Sequence, residues 1–152
     1  MRDIRFVLHE VLHDEAHYRD LGRADIGQEL IDSVLEQCAR FTEEVIAPTN
    51  EPGDRVGVRR EADGSVVTPP GFAAAYQRYV EDGWAALCGP AEYGGQGLPE
   101  SFGVPAAEMM AAANMAWKLY SGLSDSAVLL LRQHAAGDLR RQYLPQLVSG
   151  EW

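Results

Sequence analysis

Residues 89–99 read GPAEYGGQGLP, and this stretch constrains the fold more than any other part of the sequence. Its four glycines and two prolines exclude a helix, because glycine favours other backbone conformations and proline lacks a hydrogen-bond donor. Charged, amphipathic helical patterns precede it, whereas the next forty or so residues are far more apolar. The stretch therefore predicts a shaped loop that sets how two helical blocks pack, with an ordinary interhelical turn as the simpler interpretation.

A chain of 152 residues is long enough for one domain with a sizeable core. Its 23 acidic against 13 basic residues argue against nucleic acid and anionic membranes as partners, since both bind basic patches. No apolar run reaches about 18 residues, so we predict no membrane-spanning helix, and the first residues do not read as a signal peptide. The separation of Cys38 and Cys88 suggests neither a disulfide framework nor a metal site, so we expect a cytoplasmic protein with reduced thiols.

Helical spacing of apolar residues predicts a leader helix segment at residues 1–24, ahead of a main helical domain at residues 25–152. Asp25 stands where the N-cap of the next helix is expected, and Pro48 is expected to end that helix. The predicted apolar face of this helix comprises Ile26, Leu30, Val34, Cys38, Phe41 and Val45.

Residues 49–68 show no periodicity and predict a long loop with a brief extended piece at residues 65–67. A further helix is predicted after Pro69 and Pro70, with Gly83 just beyond its C-terminus.

After the glycine-rich loop, Pro105 is expected in the first turn of one helix. Residues 117–134 and 138–144 predict two more helices, the last ended by Pro145. Only four charged side chains occur in residues 104–134. Because a helix that is apolar nearly all round is buried, we expect this region either at the centre of a bundle or under a further domain.

The sequence HEVLH at residues 9–13 matches the HExxH pattern in which two histidines bind zinc and the glutamate activates water. His17 continues the same helical stripe. No strand precedes the pattern to form a cleft, and only scattered acids such as Asp32 and Glu36 could supply a third ligand. We therefore predict no metal here and interpret the pattern as a helix surface with exposed histidines.

No catalytic residues are predicted from side-chain chemistry alone. The GGQG sequence at residues 94–97 lacks the spacing of a phosphate-binding loop and no strand precedes it. Acidic pairs such as Glu43–Glu44 fit solvated helix faces, and no Ser/His/Asp or Cys/His arrangement can be supported.

Several strings, taken together, resemble the N-terminal domain of acyl-CoA dehydrogenases. They are AEYGGQGLP after a helix that ends in GW, then a helix pair, then QYLPQLVSGEW. Four further strings resemble one branch of this family, the enzymes acting on 3-methylmercaptopropionyl-CoA and their broad-chain acyl-CoA relatives. These strings are RDIRFVLHEVL, FTEEVIAPTNEPGDRVG, VVTPPGFAAAYQRYVEDGW and ANMAWKLYSGL. The resemblance implies an all-α fold, an orthogonal or up-down helical bundle, forming the first third of an enzyme whose middle β-barrel and C-terminal bundle are absent here.

The resemblance also implies a function. Family members use FAD to remove an α-proton and a β-hydride from an acyl-CoA thioester, pass electrons to an electron-transfer flavoprotein, and usually form homo-oligomers. The catalytic glutamate and the main flavin contacts of the family lie beyond the position of Trp152. We therefore expect this piece alone to be inactive and assign it no catalytic or cofactor-binding residue.

What the resemblance does transfer is a substrate-binding stripe. In the family, one face of the second helix of the pair lines the cavity for the acyl chain, and the matching residues here are Leu119, Gly122, Leu123 and Ser126. Their spacing places them on one side of a helix, bordered by Lys118. Ordinary helix packing is the alternative interpretation of these residues.

Two other functions remain open from the sequence. One is a stand-alone helical interaction module that binds a partner and catalyses nothing. The other is membership of the DNA-associated homologues of acyl-CoA dehydrogenases, against which the acidic balance and the absence of a basic patch both weigh.

Overall fold

A computed structural model describes residues 1–152 and is built almost entirely from helices, as the predicted all-α class requires. The helices are α1 (Arg2–Arg5), α2 (Asp14–Asp20), α3 (Gln28–Phe41), α4 (Asn50–Val56), α5 (Phe72–Glu81), α6 (Glu100–Ala113), α7 (Met115–His134) and α8 (Gly137–Ser149). Helix α1 continues as a π-helical segment (Phe6–Val11), and two short strands, β1 (Arg59–Arg60) and β2 (Val66–Val67), form an antiparallel pair. None of the helices combines the length and apolar character needed to cross a bilayer.

Helix α3 differs from its predicted form at both ends. Its N-cap is Gly27 rather than Asp25, whose carboxylate instead pairs with Arg23 at 3.0 Å. Pro48 does not end it, because the chain continues through a π-helical segment (Thr42–Ile46) and a 3-10 turn into α4. Proline is tolerated in the first turn of a helical segment, where its missing N–H has no partner to lose. Residues 50–56 are therefore helical, whereas β2 confirms the predicted extended piece.

The buried face of α3 is also rotated from the predicted one. The residues that it buries are Ile31, Leu35, Cys38 and Phe41, whereas Leu30 is exposed. The π-helical segment then brings Ile46 rather than Val45 into the core. Two apolar series one position apart both have helical spacing here, and only packing against the other helices selects between them.

Helices α6 and α8 both run through a proline that the sequence predicts at a helix end. Helix α6 begins at Glu100, so Pro105 lies in its interior, and α8 continues past Pro145 to Ser149. An interior proline costs about 3 kcal/mol in lost hydrogen bonding and steric clash. In each helix the turn after the proline contributes a buried side chain, Ala106 in α6 and Val148 in α8, whose burial offsets part of this cost.

The core lies where α3, α5, α6 and α7 meet. Trp117 is fully buried there, and its indole N–H donates to the backbone oxygen of Phe72 at 3.2 Å. Tyr79 packs edge-to-face on the Trp117 ring with centroids 5.5 Å apart. As predicted, Gly83 follows α5 in the left-handed conformation, and the Trp84 N–H closes the cap on the Tyr79 oxygen.

The glycine-rich loop folds back on the segment before it, as a shaped loop would. The Gln96 N–H donates to the Ala86 oxygen at 2.8 Å, and the Gly97 N–H donates to the Gly89 oxygen at 2.9 Å. A Cβ at Gly95 would lie 2.1 Å from the Gly89 carbonyl, so only glycine permits this approach. The loop thereby fixes the start of α6 against the end of α5.

Candidate functional site

Helix α7 presents two different faces. Its inner face carries buried Trp117 and Ser121. Its N-terminus is capped by Asn114, whose side-chain oxygen accepts the Trp117 backbone N–H at 3.0 Å. The outer face is exposed. The sequence predicts that residues 104–134 are buried, either at the centre of a bundle or under a further domain. The first of these two positions is wrong for this chain, because α7 has one face open to solvent.

The four residues predicted to bind substrate lie together on that outer face, in one stripe. Leu119 is 59% exposed and Leu123 is 74% exposed. Gly122 lies between them, and nothing approaches within 4 Å of where its Cβ would be. The Ser126 hydroxyl donates to the Gly122 backbone oxygen at 3.5 Å, so its hydrogen bond is made within the helix. The α7 stripe, as we call these four residues, is thus an open and largely apolar surface.

A cleft of about 220 Å³ lies beside α7, away from the α7 stripe, and contains none of its four residues. Its walls come from α6, α7, α8, and the end of α5 with the segment that follows it. The residues from α7 are Lys118, Asp125, Val128, Leu129 and Arg132. Three of these are charged and recur every seven residues in an otherwise apolar helix. That repeat is the sequence signal that could have identified the cleft.

Two charged side chains of the cleft, Lys118 and Asp125, pair with each other. The Lys118 ammonium, whose side chain is only 11% exposed, donates to the Ser121 hydroxyl at 3.1 Å and to the Asp125 carboxylate at 3.3 Å. Burial raises the pKa of the Cys88 thiol to about 12, with the nearby charge of Glu100 acting in the same direction. Burial likewise raises the pKa of Tyr79 above its usual range. A protonated thiol and a protonated phenol are poor nucleophiles, so neither Cys88 nor Tyr79 suits nucleophilic catalysis in this cleft.

The HExxH histidines do not converge on a common point. The His9 ring lies between the carboxylates of Asp14 and Asp32, whereas the His13 ring contacts the backbone oxygen of His9 at 3.2 Å. No group of three potential ligands is arranged to hold a metal ion. The expectation of exposed histidines holds for His13 and His17 but is wrong for His9, whose side chain is 11% exposed.

Comparisons with known proteins agree with the helical architecture. The family model for the N-terminal domain of acyl-CoA dehydrogenases matches residues 28–151. The chain is 38% identical over 120 residues to 3-methylmercaptopropionyl-CoA dehydrogenase of Ruegeria pomeroyi, covering 79% of this chain and 20% of that protein. It is 25% identical over 154 residues to a butyryl-CoA dehydrogenase of Syntrophomonas wolfei, covering 99% of this chain and 25% of that protein. The chain therefore spans about a fifth to a quarter of the length of these relatives.

Proposed function

The chain belongs to the acyl-CoA dehydrogenase family, and we propose that it is the helical N-terminal domain of a flavin-dependent enzyme that introduces an α,β double bond into an acyl-CoA thioester. Its proposed contribution is one wall of the pocket for the acyl chain. On family resemblance, the groups that remove the proton and the hydride would come from other parts of the enzyme.

The observation that carries this proposal is the open α7 stripe. Leu119 and Leu123 expose 59% and 74% of their surface on successive turns, and contiguous exposed apolar surface marks a place that something else covers. An acyl chain offers only methylene groups, so a wall of leucines with a gap at Gly122 suits it, and the hydroxyl of Ser126 is turned away onto the helix backbone.

Neither of the two main cavities of this chain is large enough for a flavin dinucleotide. Sites for drug-sized ligands span about 300–1,000 Å³, and FAD is larger than such ligands. The cleft beside α7 reaches about 220 Å³, and a second cavity over Phe72, Tyr76 and Tyr120 reaches about 310 Å³. We infer that FAD is held mainly by parts of the enzyme beyond Trp152. On family resemblance we also infer a homo-oligomer that passes electrons to an electron-transfer flavoprotein.

The test uses the full-length protein that carries this domain and a series of acyl-CoA thioesters of increasing chain length. In Gly122→Leu, the new side chain fills space that several methylenes would occupy, each worth about 0.8 kcal/mol of burial. We expect kcat/KM for long acyl chains to fall tenfold or more, with little change for short ones. Ala74→Leu, at an exposed position on α5, is the matched control and should leave the series unchanged.

An equal loss of kcat/KM at every chain length would mean that Gly122→Leu disturbs the fold, and no loss would mean that the α7 stripe faces protein rather than substrate. A wild-type protein that carries no flavin and oxidises no thioester would refute the enzyme proposal itself. The α7 stripe would then belong to a helical interaction module.

A further inference from the structure

Residues 1–20 make up the helical part of the leader segment that the sequence predicts at residues 1–24, and they are called the leader from here on. Few apolar contacts hold the leader against α3. Leu8 and Tyr18 are its buried apolar side chains, and the Tyr18 hydroxyl bonds to Ser101. Ile4 is partly buried against the core, but most other large apolar side chains of the first helical stretch are exposed; Phe6 and Val11 are both more than half exposed. A segment with so little buried apolar surface depends on its polar contacts to stay docked.

Apart from the hydrogen bond between Tyr18 and Ser101, the polar side-chain contacts that dock the leader form one ionic cluster. Arg5 pairs with Asp32 through its Nε at 2.9 Å and also contacts Glu36. His9 Nε2 lies 3.0 Å from Oδ1 of the same Asp32, and His9 Nδ1 lies 3.2 Å from Oδ1 of Asp14. The cluster therefore ties the first helical stretch to both α2 and α3 through two side chains.

The geometry at His9 requires a proton on each ring nitrogen. A neutral imidazole has one N–H donor and one lone pair, so one nitrogen would direct its lone pair at a carboxylate oxygen. Only the imidazolium can donate to Asp14 and Asp32 together. Without it the cluster holds three carboxylates, those of Asp14, Asp32 and Glu36, against the single charge of Arg5, so a second cation also improves the charge balance.

Local backbone structure holds Asp14 in its place opposite His9. His13 adopts the left-handed conformation at φ 50°, which turns the chain sharply between the first helical stretch and α2. Asp14 is buried just after this turn, and its Oδ1 also accepts the Glu15 backbone N–H at 2.9 Å. Burial and this backbone hydrogen bond together restrain the Asp14 carboxylate beside the His9 ring.

We propose that His9 is a pH-sensitive clasp that fastens the leader to α3. As the imidazolium it bridges Asp14 and Asp32. When it deprotonates, one of the two hydrogen bonds is lost and the leader opens more often. Neither the cleft nor the α7 stripe takes part, so the proposal stands apart from the enzyme function.

The direction of the pH dependence follows from the pKa of His9. Burial by itself would lower that pKa, but the hydrogen bonds and charges of Asp32 and Asp14 outweigh burial and raise it above its usual 6.5. When docking raises the pKa of a group, protonation of that group stabilises the docked state. This stabilisation is complete at a pH below the pKa of the undocked state, and it is lost as the pH rises through the pKa of the docked state. The leader should therefore be fastened in mild acid and loosen as the pH rises through and above neutral.

The first measurement is a ring-nitrogen NMR titration of the 152-residue chain. We expect the His9 ring to keep protons on both nitrogens above pH 6.5, the usual pKa of a histidine. A His9 titration midpoint at or below 6.5 would overturn the proposal.

The second measurement is amide hydrogen exchange of residues 4–12, corrected for the intrinsic pH dependence of exchange. Linkage requires the protection of the leader to fall between pH 6 and pH 8.5, by about tenfold for each pH unit that separates the docked from the undocked pKa of His9. Amides of Leu35 and Cys38 in α3 should show no such fall. In His9→Gln, which has no titrating ring, leader protection should not vary with pH, whereas Glu10→Gln on the exposed side should behave as wild type.

A fall in leader protection that persists in His9→Gln would assign the pH dependence to another group and refute the clasp. Protection that stays constant in the wild type would refute it as well, since a raised pKa without a change in docking is excluded by linkage.

Discussion

Asn114 joins three parts of the chain through one buried amide, and its replacement by alanine tests how far the fold depends on it. The residue is 2% exposed and lies between α6 and α7. Its Oδ1 accepts the Trp117 backbone N–H at 3.0 Å, and its Nδ2 donates to the Thr49 hydroxyl at 2.9 Å. That hydroxyl in turn donates to the Ile46 backbone oxygen at 2.6 Å, so α7 is tied to the segment after α3.

The expected loss can be built from these contacts. Removal of an N-cap side chain costs about 1 kcal/mol. That cost already includes the Trp117 N–H left without a partner. Loss of the buried hydrogen bond to Thr49 adds about 1–2 kcal/mol. We expect Asn114→Ala to lower the free energy of unfolding by about 2–3 kcal/mol, a large part of the roughly 5–15 kcal/mol typical of a domain. For a chain of this length that corresponds to a fall in Tm of about 4–12 °C.

Urea and thermal unfolding followed by far-UV circular dichroism measure this loss. Asn50→Ala, the same substitution at an exposed position, is the matched control and should change stability by less than about 0.5 kcal/mol. A double-mutant cycle with Thr49→Val should return a coupling energy above about 0.5 kcal/mol, because the two side chains share a hydrogen bond. If Asn114→Ala is no more destabilising than the control, the amide does not join these segments in solution.

Three further predictions concern the loop, the thiols and the flavin. Gly95→Ala places a Cβ against a backbone carbonyl and should lower the free energy of unfolding in urea by about 1–3 kcal/mol. Gly27→Ala, where nothing lies within 4 Å of the new Cβ, should lower it clearly less, and equal losses would contradict the close approach at Gly95. Burial raises the pKa of Cys38 to about 11 and that of Cys88 to about 12. At pH 8 both thiols should therefore react with a thiol reagent at least about 100-fold more slowly in the folded protein than in urea, and comparable rates would show that the thiols are accessible. The 152-residue chain mixed with FAD should form no stoichiometric yellow complex, because neither cavity encloses a dinucleotide; micromolar or tighter binding in a visible spectrum would contradict this.

The candidate site was only partly predictable. The spacing of Leu119, Gly122, Leu123 and Ser126 places them on one side of a helix whatever surrounds it, and the structure keeps them together. Their role in binding substrate stays a prediction that rests on the family resemblance. The cleft on the neighbouring side of α7 was not predicted, because its walls come from four separate segments and only the charge repeat that includes Lys118 lies within one helix.

The sequence by itself determined the helical class, most helices and the shape of the glycine-rich loop, because periodicity and glycine conformation act over a few neighbouring residues. Tertiary structure decided which of two apolar series α3 buries, and whether Pro105 and Pro145 end their helices, since burial on both sides of a proline outweighs a local penalty. It also decided the partners of His9 and Asn114, because Asp32 lies 23 residues from His9 and Thr49 lies 65 residues from Asn114. No local pattern encodes such pairs, and they exist only once the helices have packed.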